Sequence, residues 1–257
     1  MRRRRQAGQG PPEETEDRVA TEEPLELRLR GQPWAVLMRT PGRERDLIAG
    51  FLASEGVLER PEDLLAVEPC RDPSGRPEPN VWMVSVADSV VLEDGQRRAG
   101  YVGSSCGLCG ARTLDALDRA LPPIVPWSPL AAPLLLEGFV RLRDRQDLFR
   151  HTAGAHGAGL LAPDGSLADV AEDVGRHNAV DKVLGARLRE GRYPLEDPFI
   201  LLVSGRLSFE IVQKAALGGV GAVAGVGAPT SLAVEAAERF GIRLSGWVRD
   251  GGASAYA

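Results

Sequence analysis

Apolar and polar residues alternate with period two along Leu25-Glu26-Leu27-Arg28-Leu29, and beyond Gly31-Gln32-Pro33 the run Trp34-Ala35-Val36-Leu37-Met38 completes an expected antiparallel hairpin. The period then changes. Over residues 44–55 the apolar Leu47, Ile48, Phe51 and Leu52 fall on one helical face, and Gly56 supplies a C-terminal stop, so this helix is expected to pack on the hairpin in a structural role. Residues 72–80, rich in Pro, Gly, Ser and Asn, form a surface loop, and strands are expected at 81–87 and 89–93. Leucines three and four apart predict a short helix over 112–121, stopped by Pro122-Pro123. Five prolines between 122 and 133 mark a boundary between two halves.

The second half alternates strand and helix. A helix is expected over 134–145, strands at 159–161 and 167–171 about the turn Pro163-Asp164-Gly165-Ser166, and then a helix whose stripe is Val180, Val183, Leu184 and Leu188. A strand over 199–203 leads to a helix from Ser208, a strand over 220–226 leads to a helix from Thr230, and a strand over 242–248 follows. Such alternation favours parallel pairing in an α/β sheet covered on both faces, with ligands bound at the loops that follow the strands. Those loops are Ser204-Gly205-Arg206, Gly227-Ala228-Pro229-Thr230-Ser231 and Trp247-Val248-Arg249-Asp250-Gly251-Gly252, and they should converge on one face. None is a P-loop, and the glycines from 218 to 227 do not follow the dinucleotide fingerprint.

Composition narrows the setting. The 257 residues carry a net charge of −5 and only three cysteines, so a disulfide framework is excluded and a reducing compartment, the cytoplasm, is expected. No run of about eighteen apolar residues suggests a membrane span. The opening Met1-Arg2-Arg3-Arg4-Arg5 is followed by Gln, Gly, Pro and Glu rather than an apolar stretch; residues 1–20 are expected as a disordered tail, and the acidic balance argues against a nucleic-acid partner.

Chemistry concentrates in two places. Cys106-Gly107-Leu108-Cys109-Gly110, with Gly103-Ser104-Ser105 before it, holds two of the three cysteines among small residues that leave the thiols accessible; a following helix start and Arg112 favour the thiolate. Cys70 reads as an ordinary half-buried thiol. The C-x-x-C admits three uses. A zinc site would need further ligands, such as Cys70 or a second pair across a dimer axis, and the H-x-E of a deaminase is absent. A thioredoxin-like dithiol would want aromatic and proline flanks, which are also absent. A sulfur carrier would hold a persulfide on one thiol, with the other resolving or relaying it. The second place is Glu172-Asp173-Val174-Gly175-Arg176-His177-Asn178-Ala179-Val180-Asp181-Lys182, seven polar or charged residues in eleven at a helix start, which suits either an anion or polar-ring site or a solvated helix end. His151 and His156 lie shortly upstream.

The C-x-x-C with its serines, this charged block, and the loops at 204–206 and 227–231 resemble the FdhD family, the formate dehydrogenase accessory sulfurtransferases, over residues 21–257. The resemblance implies a sulfur carrier that takes sulfur from a cysteine desulfurase as a persulfide. It passes that sulfur to the bis-molybdopterin guanine dinucleotide form of the molybdenum cofactor, for formate dehydrogenase. Cys106 would be the persulfide carrier and Cys109 its partner. A cytidine deaminase-like three-layer α/β domain over 125–257 is implied, preceded by a small α+β domain over 21–124, in a homodimer that binds GDP or another guanine nucleotide. No resident metal is implied. Cofactor contacts are expected from Trp247, Val248, Arg249, Asp250, Gly251 and Gly252, from His156, and from Ser204, Gly205 and Arg206. Arg176, His177, Lys182, Arg206 and Arg249 would serve pyrophosphate, and Asp173 or Asp181 a guanine edge. An alternative of another class is a non-catalytic chaperone that shelters the guanine-bearing cofactor. Two positions differ from the family pattern: Ala153 stands where glycine is usual, and Gly227 where serine is.

Overall fold

The computed structural model describes residues 2–5, 13–92, 101–102 and 121–257. Cys106, Cys109 and nearly all of the helix expected over 112–121 lie outside the described residues. Where a disordered tail is expected, β1 (Arg2–Arg5) pairs antiparallel with β2 (Glu13–Glu16). The register pairs Arg2 with Glu16, Arg3 with Thr15, Arg4 with Glu14 and Arg5 with Glu13.

The predicted hairpin is β3 (Glu23–Leu29) and β4 (Gln32–Arg39), turning at Arg30 and Gly31, both with positive φ. Leu25, Leu27 and Leu29 are buried, as the alternation requires. They belong to a mixed five-stranded sheet of order β5-β6-β3-β4-β7, completed by β5 (Leu64–Arg71), β6 (Pro77–Val86) and β7 (Tyr101–Val102). The pattern missed β5 because Pro69 interrupts it; as the edge strand, β5 tolerates the lost donor. The strand expected over 89–93 does not form in its described part: the chain turns at Asp88-Ser89 directly after β6.

The second sheet has six strands in the order β13-β12-β11-β10-β8-β9. They are β8 (His156–Leu161), β9 (Leu167–Asp173), β10 (Ile200–Val203), β11 (Ala222–Gly225), β12 (Arg243–Arg249) and β13 (Gly252–Ala255). The expected parallel pairing holds for β10, β11 and β12; β8, β9 and β13 pair antiparallel, so this sheet too is mixed. β13 follows Asp250-Gly251, a two-residue turn with both φ positive, and the Asp-Gly pair was its signal in the sequence.

Both faces of this sheet are covered, which explains why β10 is apolar throughout. Ile200 and Leu202 pack with Leu135 and Leu142 of α2 (Ala132–Asp144). Leu201 and Val203 join the larger core with α4 (Arg176–Arg189), α5 (Phe209–Leu217) and α6 (Ser231–Phe240). That core also takes in the five-stranded sheet through α1 (Glu44–Ser54), which lies against α4. The crossing is made by two glycines: a Cβ on Gly50 would lie 1.9 Å from the Asp181 carbonyl oxygen, and one on Gly185 1.9 Å from that of Asp46. Arg43, before α1, adds bonds from Nη1 to the Val170 carbonyl and from Nη2 to Asp169, each 2.8 Å.

Candidate functional site

The carboxyl ends of β10, β11 and β12 meet the starts of α4, α5 and α6, and backbone bonds stitch the loops together. Ser204 N–H donates to the Gly157 carbonyl at 2.9 Å, and Gly157 N–H returns a bond to Ser204 Oγ at 2.8 Å. Gly227 N–H donates to Gly205 O (3.2 Å), Leu207 N–H to Ala228 O (3.1 Å) and Trp247 N–H to Gly227 O (3.2 Å). The expected convergence is therefore real. A Cβ at position 227 would lie 2.9 Å from the Gly205 carbonyl and 3.1 Å from the Arg206 backbone, so the serine usual there would need these loops to stand a few tenths of an ångström further apart. Gly205 in turn lies over Arg176 and His156, each 3.4 Å from where its Cβ would be. Thr230 caps α6 by accepting from Ala233 N–H, whereas Gly175 and Ser208 make no side-chain cap, so α4 and α5 present uncapped N-termini to this face.

The charges here are unbalanced. Burial and then the neighbouring Arg206 lower the Arg176 pKa, with Glu210 opposing, and Arg176 Nε is buried without a hydrogen-bond partner. Burial, then Arg176, pushes His156 down. Its Nδ1 lies 3.5 Å from Ser204 Oγ. His177 is pushed down to about 3 by burial, then by Lys214 and Arg176, although Glu210 lies 3.6 Å from its Nε2. The imidazoles are neutral and the guanidiniums repel one another: an anion seated between Arg176 and Arg206 would relieve that repulsion.

The His177 shift has a measurable consequence. A histidine that titrates near 6.5 when unfolded and near 3 when folded takes its proton only in the unfolded chain between those values, so stability is lost as pH falls from 6.5 toward 3. Thermal unfolding at about pH 7.5 and about pH 5 should show a larger drop for the wild type than for His177→Gln. Equal drops would remove His177 from the acid response.

Four expected contacts lie elsewhere than on this surface. Asp173 is fully buried and Lys182 is 2% exposed. Lys182 Nζ pairs with Asp173 Oδ2 at 2.8 Å and donates to the Thr40 and Glu172 carbonyls, both at 3.1 Å. Asp173 also accepts from Thr40 N–H, Gly175 N–H and Asn178 Nδ2. Together these groups fasten the start of α4 to the end of β4. Asp181 is inside the α1–α4 crossing, bound by Lys214 Nζ at 2.7 Å and by Ser54 Oγ at 2.7 Å; burial raises its pKa, while those partners oppose. Val248 is core beneath α2. These residues shape the site from behind. On its rim, exposed Trp247 adopts φ 52° and carries the Arg249 guanidinium 4.5 Å from its ring centroid, while Asp250 and Gly251 make the β12–β13 turn that Gly252 closes.

A cavity of about 380 Å³ opens beside this cluster. His156 and Ser204 are shared between the two; the far wall is Gln146 with Phe149 of α3 (Asp147–Thr152), which the sequence reading did not select. Glu172 holds that wall, accepting from Leu148 and Phe149 N–H, both at 2.8 Å. α3 ends on Ala153 at φ 51°, the position where the family pattern has glycine. Among the described residues no group of three or more His, Cys, Asp or Glu is placed to hold a metal, and no helix is long and apolar enough to cross a membrane. Cys70 is half-buried.

A model of the FdhD/NarQ family matches residues 20–257. The sulfur carrier protein FdhD of Streptomyces coelicolor is 46% identical over 247 residues, covering 94% of this chain and 87% of its own. Its counterpart in Streptomyces avermitilis is 44% identical with the same coverage. That of Mycobacterium bovis is 42% identical over 246 residues, 93% of this chain and 89% of its own. Among solved structures, a Desulfotalea psychrophila protein described as a formate dehydrogenase accessory protein superposes with a TM-score of 0.76, covering 100% of this chain and 95% of that one. At 23% identity, that likeness bears on the fold alone.

Proposed function

The chain belongs to the FdhD/NarQ family, and on that premise we propose that it is a cytoplasmic sulfur carrier serving formate dehydrogenase. The Cys106 thiolate attacks the outer sulfur of a cysteine desulfurase persulfide; a new S–S bond forms as the donor bond breaks, and the desulfurase leaves as its thiolate. The acceptor is the bis-molybdopterin guanine dinucleotide cofactor. Attack by Cys109 on the inner sulfur would release the outer one as sulfide and leave a Cys106–Cys109 disulfide, which a cellular dithiol resets. The observation that carries the proposal is that this chain, which has a C-x-x-C pair at Cys106 and Cys109, matches sulfur carriers at 42–46% identity over nearly its whole length.

The site is suited to such an acceptor. Arg176, Arg206 and two uncapped helix starts offer an anion site for pyrophosphate, and Trp247 offers a ring for stacking. In the same reading the unit from about residue 125 onward is the cytidine deaminase-like three-layer domain, residues 21–124 form the small α+β domain, and the protein works as a homodimer that also binds GDP.

Intact mass after incubation with a cysteine desulfurase and cysteine tests the carrier step. The wild type should gain one sulfur mass that reductant removes, and Cys106→Ala should gain none and should fail to support formate dehydrogenase activity in cells. Normal activity with Cys106→Ala would overturn the proposal.

A further inference from the structure

Where β4 reaches α4, every polar group of one residue is engaged. Thr40, directly after β4, donates from its N–H to Asp173 Oδ2, accepts on Oγ1 from Val174 N–H and accepts on its carbonyl from Lys182 Nζ, each at 3.1 Å. Pro41 follows and disfavours helical backbone at Thr40, so the end of β4 stays extended toward α4. Two residues earlier, the Met38 carbonyl accepts from Asn178 Nδ2 at 2.8 Å.

The hydroxyl bond does something the others do not. Asp173 Oδ1 takes the Gly175 N–H at 2.9 Å and Thr40 Oγ1 takes that of Val174, so the two amides directly ahead of Arg176 are fixed by acceptors from different sheets. Gly175 makes no side-chain cap and Arg176 Nε has no hydrogen-bond partner, so the guanidinium takes its direction from the backbone behind it. Val174 also lines the cavity beside the anion cluster. A Val174 N–H without its acceptor would turn toward that space for water, and Gly175, with no Cβ to resist, would let Arg176 turn with it.

We infer that Thr40 is a positioning residue of the anion site: through its hydroxyl, the sheet whose β7 leads on toward the C-x-x-C sets where Arg176 stands beside Arg206. The inference rests on the anion site proposed above. It adds that the half of the chain bearing the cysteines holds the acceptor's cation in place, by way of β4, which pairs with β7 at Leu37 and Val102.

Calorimetric titration of the full chain with inorganic pyrophosphate tests this. Thr40→Val, nearly the same shape without the acceptor, should weaken binding about fivefold or more, and Thr40→Ser, which keeps the oxygen, should stay within about twofold of the wild type. Thr40→Ala removes the same acceptor and should match Thr40→Val, so a folding defect in one leaves the other as the test. Ser54→Ala controls for general loosening: it deletes a bond to Asp181 deeper in α4 and should lower the urea midpoint without changing affinity. Wild-type affinity in Thr40→Val and Thr40→Ala, a Thr40→Ser variant as weak as Thr40→Val, or equal weakening by Ser54→Ala would each overturn the inference alone. Wild-type protein that binds no pyrophosphate would overturn the anion site and the inference with it, leaving the persulfide assay to judge the carrier step separately.

Discussion

Gly185→Ala should leave little or no stably folded protein. By helix propensity alone it would stabilise α4 by about 1 kcal/mol, since glycine is a poor helix interior residue. Contact reverses the sign. The added Cβ would lie 1.9 Å from the Asp46 carbonyl oxygen and 2.4 Å from Gly50 N, both backbone atoms in α1 that no rotamer change can move. The helices would have to separate, opening the core that joins the two sheets, at a cost of about 3 kcal/mol or more. Gly50→Ala should behave alike, because its Cβ would lie 1.9 Å from the Asp181 carbonyl oxygen. Urea midpoints read the effect. An unchanged midpoint for Gly185→Ala would show that α1 and α4 do not meet backbone to backbone.

Asp173→Ala should cost about 3–5 kcal/mol, because it leaves a buried ammonium without its counter-charge. Lys182 Nζ would keep only the Thr40 and Glu172 carbonyls, and the N–H groups of Thr40 and Gly175 would lose their acceptor. Lys182→Met combined with Asp173→Ala should recover part of that loss by removing the stranded charge. A double variant no better than Asp173→Ala would show that the pair's electrostatics are not what the single substitution breaks. Since Gly175 opens α4, the same change should loosen Arg176 and weaken anion binding beyond its effect on stability.

Much of this was legible in the chain. The apolar runs of β10, β11 and β12, punctuated by glycine-bearing loops, gave their parallel pairing and the face on which their loops meet. The charged block was correctly placed at a helix start. Its interior members were not separable from its surface ones, because burial is a tertiary property: the partner of Asp181 is Lys214, 33 residues away on α5, and those of Asp173 include Thr40, just beyond β4 of the other sheet. The antiparallel pairing of β8 with β9 follows from the short turn between them, whereas that of β8 with β10 is invisible to a local pattern. Gln146 has no local mark at all; only the fold reveals that it is buried.

Ala153 stands where the family pattern has glycine, at the end of α3. At φ 51° an alanine is held in the left-handed region that glycine occupies freely. α3, the helix it ends, has six residues, none of them buried, and its Leu148 and Phe149 N–H groups donate to the Glu172 carboxylate of β9. A helix that short does not persist by itself. The cavity's outer wall is thus a weakly protected unit of the fold, whose amides should exchange with solvent long before those of β8 or β10.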